Sequence, residues 1–247
     1  CLLDNKEFNN EVLLQKIAKK INISEVTFIN IDEGNFFIRW FSPSIEVDIC
    51  GHGTIAGFEI LVFTGICEPD QWRTIKSDKY TFKLKKISKN DKILLKIPFF
   101  NLIKTEKKTF IDIMNINLIK NFSSSNLDYI VETYSLSNLI NVKINFDKLI
   151  KKEKRGLILC YIDSSNNKIH YRYFCPKLGF KEDFGTGSAH SSLYPFLKDR
   201  LDFSNKIYFS QESQRKSMGL ISKLKEDNHI VIETDVSEYS VKALEID

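Results

Sequence analysis

The spacing of apolar residues predicts four helices along the chain. From Glu11 to Ile21, apolar side chains recur every three or four positions, which is the period of an α-helix, and Asn10 can cap the first turn. Residues 53–64 are apolar on nearly every side, so we expect a buried helix there that ends at Gly65. Two further helices are predicted at residues 146–152 and 188–200.

Alternation of apolar and polar residues predicts strands through most of the remaining chain. The predicted strands are residues 26–30, 35–41, 72–76, 80–85, 93–97, 128–133, 156–163, 168–174, 206–210, 217–226 and 231–234. Residues 101–127 are rich in Lys, Asn, Ile and Ser, and we interpret them as a crossing between two lobes. The N-terminal lobe would then comprise residues 1–100 and the C-terminal lobe residues 101–247.

Composition narrows the class of protein. The 247 residues are 43% hydrophobic and 28% charged, which is typical of a globular protein, and the net charge of +4 comes from scattered lysines. We therefore expect no nucleic-acid partner. No apolar run approaches the roughly 20 residues of a membrane span, so no membrane association is expected. Five cysteines, an odd number, favour free thiols and a reducing, cytoplasmic location.

Two sequence blocks occur twice in the same order. Arg39–Pro43 (Arg-Trp-Phe-Ser-Pro) recurs as Arg172–Pro176 (Arg-Tyr-Phe-Cys-Pro), 133 residues later. Cys50–Thr54 (Cys-Gly-His-Gly-Thr) recurs as Phe184–Ser188 (Phe-Gly-Thr-Gly-Ser), 134 residues later. In each copy a strand and a proline-containing loop lead to Gly-x-Gly-[Thr/Ser] and then a helix. The repeat predicts two similar lobes related by a pseudo-twofold axis.

A Gly-x-Gly that opens a helix can bind an anion through backbone N–H groups and the positive end of the helix dipole. We therefore expect the two loops to bind a substrate carboxylate, through Gly51, Gly53 and Thr54 in the first copy and Gly185, Thr186 and Gly187 in the second. The hydroxyls of Thr54 and Ser188 could donate further hydrogen bonds. The alternative is that the glycines only permit tight strand-to-helix turns.

Three titratable residues lie at these loops. His52 stands at a helix N-terminus, which favours the neutral imidazole and suits a proton shuttle or a hydrogen-bond donor. Asp183 either caps the second helix or orients a partner. Cys50 has Phe184 as its counterpart, so one face would lack a thiol, and we interpret Cys50 as structural. Cys50 and His52 have no further ligand at metal-binding spacing, so no metal site is predicted.

Taken together, these motifs resemble the PhzF-like proteins of phenazine biosynthesis, which share the diaminopimelate-epimerase fold. The resemblance rests on Asn22–Phe28, on both repeat blocks with the residues that follow them, and on Gln211-Glu-Ser with Met218-Gly219. The family's usual Asp-Pro-Ala-Thr-Gly-Ser is Asp-Phe-Gly-Thr-Gly-Ser here, and Gly-His-Pro is Gly-His-Gly. In the family, a first strand and a Gly-Asn-Pro loop would precede Cys1, so we expect the N-terminal lobe to lack them.

The resemblance implies an α+β fold of two lobes, each a mixed and mostly antiparallel sheet curled around a central helix, with the active site between them. It implies a catalytic glutamate at Glu25, accompanied by His52, Asp183 and Ser188. It also implies a small carboxylate substrate, no cofactor and a homodimer.

The leading hypothesis is a cofactor-independent isomerase of a small carboxylic acid. In it, Glu25 moves a proton as general acid and base. Two alternatives stay open. One is an epimerase or racemase that uses Cys50 with another base. The other is a non-catalytic PhzF-like scaffold that binds a protein partner.

Overall fold

The chain forms two compact units. A computed structural model describes residues 1–204, 206–214, 216–223 and 228–236. Unit 1 comprises residues 1–96 with the chain from residue 233, and unit 2 comprises residues 97–232. The predicted lobe boundary at residues 100/101 stays a prediction. The end of the predicted strand 217–226 lies outside the described residues.

Unit 1 is a sheet with a helix at its centre. Its helices are α1 (Asn5–Phe8), α2 (Glu11–Ile21) and α3 (Gly51–Phe63). Its strands are β1 (Leu2–Leu3), β2 (Val26–Asp32), β3 (Asn35–Phe41), β4 (Glu46–Val47), β5 (Arg73–Lys76), β6 (Thr81–Ile87) and β7 (Lys92–Pro98). The strand order is β1-β2-β3-β5-β6-β7, with β4 paired to β3. The β2–β3 and β5–β6–β7 pairs are antiparallel, whereas β1–β2 and β3–β5 are parallel.

Helix α3 is the central helix of unit 1. It contacts both β2 and β6, and its buried residues lie on several faces. The predicted buried helix is thus largely confirmed, although Ile60 and Phe63 of α3 are exposed. The predicted stop at Gly65 is confirmed: Thr64 caps the helix, and Gly65 follows at a φ of 74°. The predicted start was late, because Gly51, His52 and Gly53 already form the first turn.

Unit 2 repeats this plan. Its helices are α4 (Leu136–Ile140), α5 (Phe146–Leu149) and α6 (Ala189–Leu197). Its strands are β8 (Ile119–Ser124), β9 (Asp128–Thr133), β10 (Gly156–Asp163), β11 (Lys168–Phe174), β12 (Glu182–Asp183), β13 (Ile207–Gln211), β14 (Ser217–Lys223) and β15 (His229–Thr234). The order is β8-β9-β10-β11-β13-β14-β15, with β12 paired to β11. Helix α6 is buried along its whole length.

The sequence repeat is a structural repeat. In unit 1 the Arg39 guanidinium forms two hydrogen bonds of 2.7 Å with the Glu46 carboxylate and lies over the Phe41 ring. In unit 2 Arg172 forms the same pair of bonds, at 2.8 Å, with Glu182 and lies over the ring of Phe174. The first ion pair joins β3 to the short strand β4, and the second joins β11 to the short strand β12. In each unit the short strand precedes the Gly-x-Gly segment. The bidentate geometry fixes where each central helix begins.

The helix predicted at residues 11–21 is confirmed, whereas the interpretation of residues 101–127 as a crossing segment is incomplete. Helix α2 spans the predicted residues, and Asn10 accepts a hydrogen bond from the backbone of Leu13. Residues 101–127 are more than a crossing segment. They contain the strand Ile119–Ser124, and Phe110 lies in the apolar core of unit 2. Within the described residues, no helix is long and apolar enough to cross a membrane.

Candidate active site

The first glycine motif is a tightly packed helix start. Cys50 is the N-cap of α3, and its Sγ accepts a hydrogen bond of 3.3 Å from the backbone N–H of Gly53. A Cβ on Gly53 would lie 2.5 Å from Thr27 Oγ1 and 2.9 Å from Cys50 Sγ. Glycine is therefore required here by the close approach of α3 to β2. The Gly53 N–H already has this sulfur acceptor, and its predicted role in substrate binding stays a prediction.

Glu25 and His52 come together at this helix start. Helix α2 ends at Asn22 in the left-handed conformation, and the chain then turns so that Glu25 immediately precedes β2. Because β2 packs on α3, the Glu25 carboxylate reaches the first turn of that helix. Its Oε2 lies 3.2 Å from His52 Nε2, with the Glu25 side chain 6% exposed and the His52 side chain 35% exposed. The pair thus joins a buried carboxylate to an imidazole that solvent reaches.

The Cys50 thiol is close to this pair but closed to solvent. Its Sγ lies 3.7 Å from both ring nitrogens of His52, and the residue is 3% exposed. Burial raises the pKa of Cys50, although the neighbouring His52 and the Gly53 N–H oppose that rise. A protonated, enclosed thiol that caps a helix agrees with the structural role expected for Cys50.

A surface cavity of about 510 Å³ adjoins the Glu25–His52 pair. Its walls are largely apolar and include Ile29, Ala56 and Ile60. A carboxylate and an imidazole at the edge of an apolar cavity are the setting expected for proton transfer.

Two neighbouring features do not contribute to this cavity. Thr54 is fully buried, and its hydroxyl donates to the carbonyl of Cys50 at 2.6 Å, so its role in substrate binding stays a prediction. A larger cleft of about 720 Å³ on unit 1 includes neither Glu25 nor His52 among its lining residues. Four of its charged groups form ion pairs with each other, Arg39 with Glu46 and Lys79 with Asp48.

The second glycine motif is held by its own hydrogen bonds. The Asp183 carboxylate accepts from the Thr186 hydroxyl at 2.6 Å and from the Gly185 N–H at 3.4 Å. The Thr186 N–H donates to Gln211 Oε1 at 2.7 Å, and the Gly187 N–H donates to the Gly185 carbonyl at 3.1 Å. Each of these three N–H groups has an internal acceptor, and their binding of a substrate carboxylate stays a prediction. Asp183 holds this loop but does not cap α6, whose N-cap is Ser188.

Ser188 adjoins a buried ion pair that the sequence did not reveal. Arg155 forms two hydrogen bonds with Asp128, and its Nη2 lies 3.4 Å from Ser188 Oγ. The Tyr173 hydroxyl donates to the same carboxylate at 2.7 Å. Burial lowers the pKa of Arg155, but the charge of Asp128 more than offsets this and raises the pKa above its ordinary value. Ser188 is thus held beside a permanent positive charge.

His190 is a structural residue of the second motif. It is 1% exposed, and its Nδ1 lies 2.9 Å from the carbonyl oxygen of Gly187. Because a carbonyl only accepts, Nδ1 carries the proton and the ring is neutral. Burial lowers the pKa of His190 to about 4. His190 therefore supports the loop through the Gly187 carbonyl.

Comparison with known proteins identifies the family. Residues 1–237 match the profile of the phenazine biosynthesis-like protein family. The chain belongs to that family. It is 32% identical over 228 residues to a phenazine biosynthesis-like domain-containing protein of Bos taurus, which covers 81% of this chain and 77% of the relative. It is 29% identical over 227 residues to an uncharacterized isomerase of Halalkalibacterium halodurans, covering 88% of this chain and 81% of the relative.

Solved structures of similar proteins show the same fold. A putative phenazine biosynthesis PhzC/PhzF protein from Clostridium difficile superposes with a TM-score of 0.78 at 24% identity, covering 100% of this chain and 92% of the other. A predicted epimerase from Pseudomonas aeruginosa gives 0.75 at 12% identity, covering 95% and 88%. The predicted fold and family are confirmed. The prediction of an isomerase-class enzyme is confirmed for the family as a whole.

Proposed function

We propose that this protein is a cofactor-independent isomerase that moves a proton within a small carboxylic acid, with Glu25 as the general acid and base. The observation that carries the proposal is the contact of 3.2 Å between Glu25 Oε2 and His52 Nε2, with the glutamate side chain 6% exposed. The apolar cavity of about 510 Å³ beside this pair has room for a small substrate.

The proposed step balances without a redox partner. The Glu25 carboxylate takes a proton from a substrate carbon, and the electron pair of that C–H bond moves into the adjoining unsaturated or carboxylate group. The protonated Glu25 then returns the proton to a different carbon on the same face. The double bond shifts, and nothing is oxidised or reduced.

His52 positions the carboxylate in this proposal. His52 Nε2 lies 3.2 Å from Glu25 Oε2 and so limits where the carboxylate can turn, and the other oxygen, Oε1, is the proposed acceptor of the substrate proton. The partial exposure of His52 lets the same ring contact a bound carboxylate. Asp183 and Ser188 are proposed to position substrate, a role that rests on the family resemblance and, for Ser188, on the adjacent Arg155.

The alternative of an epimerase that uses Cys50 as a base is weaker. The Sγ atom lies near His52, which favours it, but the thiol is 3% exposed and caps α3. A catalytic base must reach the substrate, and of these three groups Glu25 and His52 line the cavity whereas Cys50 does not. Two results together would favour the epimerase. Cys50→Ser would lose the exchange of the substrate's α-proton with solvent, and Glu25→Gln would keep its turnover.

The test is a screen of small unsaturated carboxylic acids followed by NMR. For any compound that the wild type converts, Glu25→Gln should lower kcat by about 10³-fold, which is within the usual range for a general acid/base, with a much smaller change in KM. Glu33→Gln, in the exposed β2–β3 turn, is the matched control and should keep wild-type turnover. A kcat in Glu25→Gln within about tenfold of the wild type contradicts the role of a general acid/base.

A further inference from the structure

We propose that Glu25, Cys50 and His52 form a binding site for a thiolate-preferring divalent cation such as Zn²⁺. The three residues offer a carboxylate oxygen, a thiol sulfur and an imidazole nitrogen, and these atoms all lie within 4.8 Å of one another. The sequence shows only Cys50 and His52 at close spacing. The packing of β2 on α3 supplies the third ligand.

The measured separations match the edges of a tetrahedral zinc site. With bonds of about 2.0 Å to nitrogen and oxygen and about 2.3 Å to sulfur, tetrahedral ligand atoms lie about 3.3–3.6 Å apart. Here the oxygen–nitrogen separation is 3.2 Å, and the sulfur lies 3.7 Å from each ring nitrogen. His52 Nε2 is the candidate ligand nitrogen, since it lies close to both the carboxylate oxygen and the sulfur. Three protein ligands leave a fourth position for water.

A second observation points to the same site. Within the described residues, Glu25 Oε2 is buried and receives no hydrogen bond, although it lies near the imidazole. A buried carboxylate oxygen without a donor is costly, and a cation would satisfy it. The same residue supplies the carboxylate ligand of the three-residue cluster, so the unsatisfied oxygen lies beside the place where the ion would bind.

The surroundings support a thiolate ligand and allow entry. Binding would transfer the proton of the Cys50 thiol to solvent, and the Gly53 N–H at 3.3 Å would stabilise the resulting sulfur anion, as would the start of α3. The ion would enter past His52, whose side chain is 35% exposed and lines the cavity. Mg²⁺ should not bind, since it prefers six oxygen ligands.

The proposal goes beyond the isomerase. An ion bound to the Glu25 carboxylate would lower the basicity of both its oxygens, so binding would inhibit turnover. The site is then an inhibitory one, and metal binding can be measured whether or not the substrate is known.

The test is titration of the purified, metal-stripped protein with Co²⁺ as a spectroscopic substitute for zinc. The wild type should bind one ion, show a thiolate-to-cobalt charge-transfer absorption in the near ultraviolet, and release the ion to Zn²⁺ but not to Mg²⁺. Cys50→Ser should lose the absorption. Glu25→Gln should keep it but weaken binding by about 100-fold, as expected for removal of a ligand. Circular dichroism checks that each variant is folded.

Cys67→Ser is the matched control. Cys67 is also buried but follows the far end of α3, about 18 Å along the helix axis, so its loss should leave the absorption unchanged. The proposal is overturned if the wild type shows no charge-transfer absorption at saturating Co²⁺, or if the absorption persists in Cys50→Ser. Either result would leave the proposed isomerase role of Glu25 intact.

Discussion

His190 should make the stability of unit 2 depend on pH. The ring is 1% exposed, lies beside Tyr171 and Phe209, and its Nε2 has no hydrogen-bond partner in the part of the chain that the structure describes. Protonation would place an unpaired N–H and a charge among aromatic rings. For this reason burial lowers the pKa from 6.5 to about 4.

The sign and size of the effect follow from that shift. The folded pKa is below the unfolded one, so the native state favours the neutral ring, and the stabilisation is complete above about pH 6.5 and is lost as pH falls toward 4. At about 1.4 kcal/mol for each pKa unit, the full shift corresponds to about 3 kcal/mol. Most of this should disappear between about pH 7.5 and about pH 4.5.

The assay is urea unfolding at several pH values for the wild type, His190→Asn and Ser191→Ala. The asparagine amide can still donate to the Gly187 carbonyl but does not titrate. The wild type should lose about 2–3 kcal/mol more stability on acidification than His190→Asn does. Ser191→Ala removes a neighbouring buried hydroxyl and should keep the wild-type pH dependence. Equal pH dependence in the wild type and His190→Asn would refute the reasoning.

Two further predictions concern packing and the repeated ion pair. Gly53→Ala should lower the free energy of unfolding by about 1–2 kcal/mol, since the new Cβ would lie 2.5 Å from Thr27 Oγ1; unchanged denaturant midpoints would contradict this. Arg172→Lys keeps the charge but loses the two bonds of 2.8 Å to Glu182, and should cost about 2 kcal/mol in urea unfolding. Stability equal to the wild type would show that bidentate geometry is unimportant there.

The repeat was the part of the fold that the sequence predicted best. Matching blocks at Arg39 and Arg172 predicted two like units, and both arginines form the same bidentate pair with a glutamate. The polar composition of residues 101–127 concealed β8, because only some of its side chains are buried. In a strand that is only partly buried, apolar and polar residues alternate weakly, so composition alone predicts a loop there.

The candidate site was predictable only in part. His52 stood out through the glycine motif, whereas Glu25 came from the family resemblance, because the contact between them depends on how β2 packs on α3. In the second glycine motif, the Thr186 N–H donates to the side chain of Gln211, which lies 25 residues further along the chain. A contact between residues so far apart leaves no local pattern in the sequence. Asp128 and Arg155 were missed for the same reason, since they are 27 residues apart.

Proton exchange at carbon is the most direct test of the central claim that Glu25 moves a proton. The measurement is deuterium incorporation from D₂O into a compound that the wild type converts, followed by NMR for the wild type and Glu25→Gln at equal concentration. The account predicts incorporation by the wild type and a rate at least about 10²-fold lower in Glu25→Gln, with ligand binding retained. Incorporation at a similar rate in the two proteins would contradict it.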